Sequence, residues 1–258
     1  MRTGDSAAFR EKKAFFQQVI TVYGRKPVLE ALLDESLQCY RLHLADSNKP
    51  APELEQMETL ARRRGVEICL HNKRELSRIS RNGKQDQGVA ADILCPEFQT
   101  LAQYLEQPAT PATRRLLALD GISNPQNVGM LVRSAVAGGI DGILWPASGN
   151  AELGPLAIKA SAGTLYRAPL VRCEDLAAAL RLCQQAGHKV CILDAAAKDS
   201  LYNLRSTADT IYVLGNESTG VSRQISALAD SSVSIPMQNG VESLNVAVTA
   251  ALIAYLDR

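Results

Sequence analysis

Two stretches of this chain carry residue types that could do chemistry. In the first, residues 210–258, two short apolar runs each open into a loop of Gly, Pro and small polar residues, and a helix closes the chain. Strand ends that lead into Gly-rich loops expose backbone N–H and C=O groups with few side chains in the way, so this stretch reads as a ligand site. The second is 62–84, with eight basic residues (Arg62, Arg63, Arg64, Lys73, Arg74, Arg78, Arg81, Lys84) against two acids, Glu67 and Glu75. A run of that kind is either a solvated helix face or a surface for phosphates.

Several other chemistries find no support. No G-x-G-x-x-G follows a strand, and Gly215-Asn216-Glu217-Ser218-Thr219-Gly220 lacks the lysine of a phosphate-binding loop. A G-x-S-x-G nucleophile elbow is also missing. The six cysteines have no CxxC spacing and are expected to be buried free thiols. His43, His71 and His188 are isolated from one another along the sequence, so no metal centre is expected.

The elements that must position these residues follow from periodicity. Residues 1–18 read as an N-terminal extension. A helix opens at Tyr23-Gly24-Arg25-Lys26-Pro27, and strands at 39–45, 66–70 and 89–94 alternate with helices from Pro52 and around Leu76. That alternation describes a small α/β domain over 19–95. Pro96, Pro108 and Pro111 punctuate 96–113, which reads as a linker with one short helix near 101–105.

A second α/β domain is expected over 114–258. Its strands are 115–119, 143–145, 190–193, 211–214 and 233–235, all short and apolar, as in a buried, mostly parallel sheet. Val128, Leu131, Val132, Ala135 and Val136 give the helix after Pro125 one core-facing stripe, and Arg133 points away from it. Trp145 reads as core. The last helix is apolar on two sides: Leu244, Ala247, Val248, Ala251, Leu252, Tyr255 and Leu256 on one, Val246, Ala250 and Ile253 on the other. It must be covered twice, by its own sheet and by a second copy of the chain. The start of the chain is charged without the apolar core of a signal peptide, and 246–256 is too short to span a bilayer, so a cytoplasmic protein with no membrane contact is expected.

Three clusters in the second domain form a set: Asn127-Val128-Gly129-Met130-Leu131-Val132-Arg133, then Leu214-Gly215-Asn216-Glu217-Ser218-Thr219-Gly220, then Ile235-Pro236-Met237 with Ser243-Leu244-Asn245-Val246. In order and spacing this set resembles the three motifs of the SpoU (TrmH-like) branch of the SPOUT RNA methyltransferases. The first domain is similar to that family's ribosomal-protein-like RNA-binding domain, through the stretch from Val22-Tyr23-Gly24-Arg25 to Glu30-Ala31-Leu32 and through Gln87-Gly88-Val89. Asp86 stands where the family usually has histidine, and Ala247 where it often has a small hydroxyl.

The resemblance implies an α/β-knot domain with a deep trefoil knot, an exception to the rule that chains avoid knots. It implies transfer of a methyl group from S-adenosylmethionine to a ribose 2′-hydroxyl of rRNA or tRNA, by a homodimer packed through the knot region and C-terminal helix. On the same ground Gly215, Ile235 and Leu244 contact the cofactor, with Leu214 and Met237 nearby. Arg133 meets the reacting hydroxyl and its phosphate; Asn127, Glu217, Ser243 and Asn245 orient substrate or one another. The basic residues of 62–84 are expected to hold the RNA backbone. Two other readings remain open: a non-catalytic RNA-binding protein that keeps the fold, and a methyltransferase acting on a base.

Overall fold

The computed structural model describes residues 15–108, 113–204 and 207–256. It divides into two compact units, Met1–Pro96 with Leu153–Pro155, and Glu97–Glu152 with Leu156–Arg258. Most of the expected extension, residues 1–14, and the linker residues 109–112 lie outside the described residues.

The first unit runs β1 (Val19–Tyr23), α1 (Arg25–Leu33), β2 (Gln38–Ala45), α2 (Pro52–Arg63), β3 (Glu67–His71), α3 (Lys73–Ser80) and β4 (Val89–Leu94). Its sheet has the order β1-β4-β2-β3, with β4 antiparallel to β1 and β2 and with β3 parallel to β2 at the edge. Strand β1 was not expected, since Val19 and Ile20 adjoin the assigned extension; both are buried against β4. Gly24, at φ 91°, turns the chain from β1 into α1. Asn72 and Glu75 form a reciprocal capping box that starts α3. Helix α3 packs Leu76 and Ile79 on Tyr23, Ala45 and Ala90, all on one face of the sheet. Val22, Leu42, Ala91 and Ile93 are fully buried on the other face.

The second unit runs β5 (Gln99–Thr100), α4 (Leu101–Leu105), β6 (Arg115–Asp120), α5 (Pro125–Ala137), β7 (Gly142–Pro146), α6 (Pro155–Ala160), β8 (Leu170–Cys173), α7 (Leu176–Gln185), β9 (Lys189–Leu193), β10 (Thr210–Gly215), α8 (Arg223–Ser226), β11 (Ser231–Val233) and α9 (Val246–Ala254). The seven strands lie in the order β11-β9-β10-β6-β7-β8-β5, and every pairing between neighbours is parallel. Leu116, Leu117, Ala118 and Leu119 of central β6 are all fully buried, as a sheet covered on both faces requires. Trp145 is buried in β7.

Three expectations need revision. Residues 97–107, read as part of a linker, belong to the second unit: β5 pairs with β8, and the Tyr104 hydroxyl of α4 lies 3.1 Å from His188 Nε2. Strand β8 itself was not anticipated. Of the six cysteines, only Cys95, Cys183 and Cys191 are buried; Cys39, Cys69 and Cys173 are half-buried.

Two glycines let helices approach closely. A Cβ on Gly129 of α5 would lie 2.3 Å from the Ala157 carbonyl oxygen of α6. One on Gly138, which caps α5, would lie 2.3 Å from Ala254 Cβ of α9. The side of α9 turned inward is Val246, Ala247, Ala250, Ile253 and Ala254. Val248 and Tyr255 are exposed, at 48% and 52%. Buried and exposed apolar sides therefore both exist, with Ala247 belonging to the inner one.

Candidate active site at the carboxyl ends of the parallel strands

Strand order reverses across β6: β7 and β8 extend the sheet one way, and the chain then returns to lay β9 and β10 on the other side. Loops leaving the carboxyl ends of strands at such a reversal form the usual ligand crevice of an open parallel sheet. Here they are the loops after β6, β7, β10 and β11.

The β6 and β10 ends are tied together by side chains. Asn216 donates from Nδ2 to the Gly121 carbonyl at 2.8 Å, while its Oδ1 accepts from Ser218 N and Thr219 N at 2.9 and 3.2 Å. Asp120 Oδ2 accepts from Ser222 N at 2.7 Å. Asn150 joins the β7 end, accepting from Ile122 N at 2.7 Å and donating to the Leu119 carbonyl at 3.0 Å. Within the β10 loop, Asn216 and Gly220 exchange backbone hydrogen bonds of 3.0 and 2.9 Å. That closure brings Gly220 and Val221 so near Gly215 that a Cβ there would fall 2.2 Å from the Gly220 carbonyl carbon. The sequence motif therefore needs glycine at 215 for steric reasons.

Across this frame the structure brings together three of the five residues singled out for catalysis. Asn124 caps α5, its Oδ1 accepting from Gln126 N at 2.8 Å. Asn127, a turn later, is thus free of capping and spans two partners. Its Nδ2 donates to Glu217 Oε1 at 2.7 Å, and its Oδ1 accepts from Asn245 Nδ2 at 3.0 Å. Asn245 also caps α9, its Oδ1 accepting from Ala247 N at 2.8 Å. Residues from three separated motifs, 90 and 118 positions from Asn127, thus share one chain of hydrogen bonds.

Arg133 and Ser243 are not part of that chain. Arg133 lies on the exposed stripe of α5 beside Met130, and neither Arg133 nor the exposed Ser243 has a side-chain partner among the described residues. The side chain that caps the start of α9 is Asn245, not Ser243.

The residues singled out for the cofactor surround the same loops. Leu214 is buried at the end of β10, and Ile235, Met237 and Leu244 are half-buried in the irregular segment after β11. Among the described residues the main-chain groups of Ile235, Met237 and Leu244 take no backbone hydrogen bond. A cleft of about 180 Å³ opens at the carboxyl ends of β6, β7 and β8, lined by Asp120, Gly121, Ser148, Glu174, Asp175 and Ser222 among others; none of the expected cofactor residues lines it.

In the first unit, the basic stretch divides. Arg64 turns its guanidinium inward, onto the carbonyls of Leu32 at 2.6 Å, Asp34 at 3.2 Å and Leu37. Arg62 pairs with Glu58 at 2.7 Å and Arg63 with Glu35 at 2.9 Å. Lys73, Arg74, Arg78, Arg81 and Lys84 are exposed on α3 and the turn after it, without an ion pair among the described residues. Asp86, in the family's histidine position, is buried and accepts from Ser80 Oγ at 2.8 Å and Gly88 N at 3.0 Å, so it shapes the turn at Gln87 and Gly88.

Sequence reasoning missed Asp120, Asn150 and Asn216 as the residues that fix these loops. Asn216 sat in view inside a motif; nothing in the sequence announced its contact with Gly121.

Comparison with known proteins agrees with this arrangement. Residues 114–255 match the SpoU rRNA Methylase family, and residues 21–99 match the domain described as RNA 2′-O ribose methyltransferase substrate binding. An uncharacterized tRNA/rRNA methyltransferase of Mycolicibacterium gilvum is 33% identical over 237 residues, covering 90% of this chain and 74% of its own. One from Mycobacterium bovis is 34% identical over 239 residues, covering 90% and 72%. Among solved structures, the SpoU methyltransferase AviRb of Streptomyces viridochromogenes, in complex with AdoMet, superposes with a TM-score of 0.62 at 22% identity, covering 97% of this chain and 92% of its own. An AdoMet-bound rRNA methyltransferase of Sinorhizobium meliloti gives 0.62 at 20%, covering 97% and 89%. With its three motifs gathered at the strand ends and both halves matched, this chain belongs to the SpoU rRNA methylase family.

Proposed function

We propose that this protein transfers the methyl group of S-adenosylmethionine to a ribose 2′-hydroxyl of rRNA or tRNA. The observation that carries the reading is the hydrogen-bonded chain Glu217–Asn127–Asn245, which joins all three motifs at the carboxyl ends of the parallel strands. The cofactor, when bound, supplies a methyl group already activated by its sulfonium. The protein's task is then to align the hydroxyl with that methyl and to stabilise the charge that develops on oxygen.

In this reading Leu214, Ile235, Met237 and Leu244 wall the adenosine, and main-chain groups at Gly215, Ile235 and Leu244 bind its polar edges. Glu217 fixes the Asn127 amide, and Asn127 fixes Asn245, so the amides reach the ribose in a set orientation. Ser243 hydrogen-bonds within the loop once substrate is present. Arg133 grips a phosphate and stabilises the alkoxide; a guanidinium titrates too high to serve as a ready base.

The same reading has the chain act as a homodimer in the cytoplasm, its last segment threaded in the family's trefoil knot. The exposed apolar side of α9, with Val248 and Tyr255, supports a second copy as its cover. Lys73, Arg74, Arg78, Arg81 and Lys84 hold the RNA backbone.

The test is methyl transfer from isotopically labelled S-adenosylmethionine to total RNA by the wild type and by Arg133→Ala. Label in 2′-O-methylribose, lost in the variant while S-adenosylmethionine still binds, is the expected result. Label in bases alone, or an Arg133→Ala protein as active as wild type, overturns the respective assignment.

A further inference from the structure

His43 and His71, far apart in sequence, meet in the first unit. The parallel register of β2 and β3 sets His43 opposite Cys69 and Ala45 opposite His71, so His43, Cys69 and His71 share a face of the sheet. His43 Nδ1 and His71 Nε2 face each other at 3.0 Å. One ligand atom from each of the three residues lies within 4.8 Å of the others. The expectation that the histidines stand apart fails for this pair.

We infer that His43, Cys69 and His71 form a binding site for a zinc-class divalent cation on the α3 side of the first unit. Two imidazoles and one thiolate are a donor set suited to Zn²⁺, with a water in the fourth position. Around a tetrahedral zinc the nitrogens stand about 3.3 Å apart and nitrogen and sulfur about 3.6 Å. The two rings already meet the first separation within a few tenths of an ångström, and the Cys69 sulfur lies within 4.8 Å of a nitrogen of each, so its thiol turns from Glu67 toward them on binding.

What singles out this cluster is its outer shell. A metal-bound imidazole characteristically donates its other N–H to a carboxylate or carbonyl. His43 Nε2 lies 3.1 Å from Asp92 Oδ2, and Asp92 Oδ1 in turn accepts from the Thr21 hydroxyl at 2.7 Å. His71 Nδ1 lies 4.0 Å from Glu75 Oε2, a carboxylate held in place by the α3 capping box. Both rings thus aim one nitrogen at the shared centre and the other at an acid. Asp92 and His43 are buried, whereas His71 is about one-fifth exposed, which leaves the centre a path to solvent.

On binding, the Cys69 thiol gives its proton to solvent. His71 carries its remaining proton on Nδ1, toward Glu75, and leaves Nε2 for the metal. The dication balances the thiolate and the buried Asp92 carboxylate, while Glu75 keeps its charge at the solvent edge. The consequence is a clip between β2 and β3, the edge strand of the sheet.

The test uses the full chain, stripped with a chelator and titrated with Zn²⁺ against a chromophoric competitor, and with Co²⁺ as an absorbing probe. One equivalent should bind, with a thiolate-to-cobalt charge-transfer band and a raised Tm. Cys69→Ala and His71→Ala should each abolish the band while keeping the wild-type metal-free circular dichroism, since neither side chain is fully buried. Asp92→Asn should weaken zinc binding about 10–100-fold. Cys173→Ala, a half-buried thiol in the other unit, should change nothing. Failure of the wild type to bind a stoichiometric cation, or survival of the band in Cys69→Ala, overturns the site.

Discussion

Asn127 is the residue on which the proposed chemistry turns, because one amide satisfies both Glu217 and Asn245. Truncating it leaves two groups unanchored where reacting atoms must be held to fractions of an ångström. Asn127→Ala is therefore expected to cut methyl transfer about 100-fold, with cofactor affinity at the wild-type level; steady-state rates and calorimetric titration with S-adenosylmethionine check both halves. Unchanged rates would remove Asn127 from the site. The residue types at 127, 217 and 245 were legible from their motifs. Their roles were less so, because Asn is as good a helix cap as a substrate ligand. Only the fold separates the two uses: Asn124 takes the α5 cap and frees the Asn127 side chain, whereas Asn245 caps α9 through Oδ1 and reaches Asn127 through Nδ2. The pairing of His43 with His71 was hidden for a different reason, since strand register is a long-range property that spacing within either strand does not contain.

At the scale of elements, the site depends on α5 being gripped by α6 and α9. Gly138→Ala forces a methyl group onto Ala254, and overpacking of that kind destabilises by about 1–3 kcal/mol. The shift in urea midpoint measures it; a midpoint equal to wild type would mean the α5–α9 packing yields freely. Helix α3 carries the other element-scale prediction. Neutralising Lys73, Arg74 and Arg78 to Gln should weaken RNA binding and flatten its salt dependence, by about 0.7–0.9 in the log–log slope for each phosphate that is no longer neutralised. The same change at Arg64 should instead lower stability, because that guanidinium serves carbonyls at the end of α1 and just after it. Helices and central strands with clear periodicity were readable from sequence. Strands β1, β5 and β8 were not, being two to five residues long, with β1 adjoining the extension and β5 inside a proline-marked linker.

For the whole molecule, acid should loosen the second unit. Burial holds His188 below the ordinary imidazole range. Asp209 sits below the ordinary carboxylate range: burial pushes it up, but backbone and side-chain hydrogen bonds from Arg114 outweigh that. Both groups bind fewer protons folded than unfolded, so their contribution is complete above about pH 6.5 and declines as pH falls. The loss begins as the unfolded-state imidazole takes up its proton and grows below about pH 4, where Asp209 must follow. Urea midpoints across that range check it, and Asp209→Asn should remove the lower part of the slope. Assembly is the second global property. The apolar outer side of α9 predicts a dimer at micromolar concentration, broken by Val248→Arg, and sedimentation of the wild type as a monomer would refute it. The two-sided character of that helix was visible in sequence; which side turns inward was not, because apolar residues alone do not say which neighbour covers them. Methyl transfer to ribose is decided by mass-spectrometric mapping of 2′-O-methyl nucleotides in rRNA and tRNA from cells with and without this gene. Loss of a 2′-O-methyl mark in the deleted strain, restored by the wild-type chain but not by Arg133→Ala, is the expected outcome. An unchanged set of ribose methylations in both RNAs would contradict it.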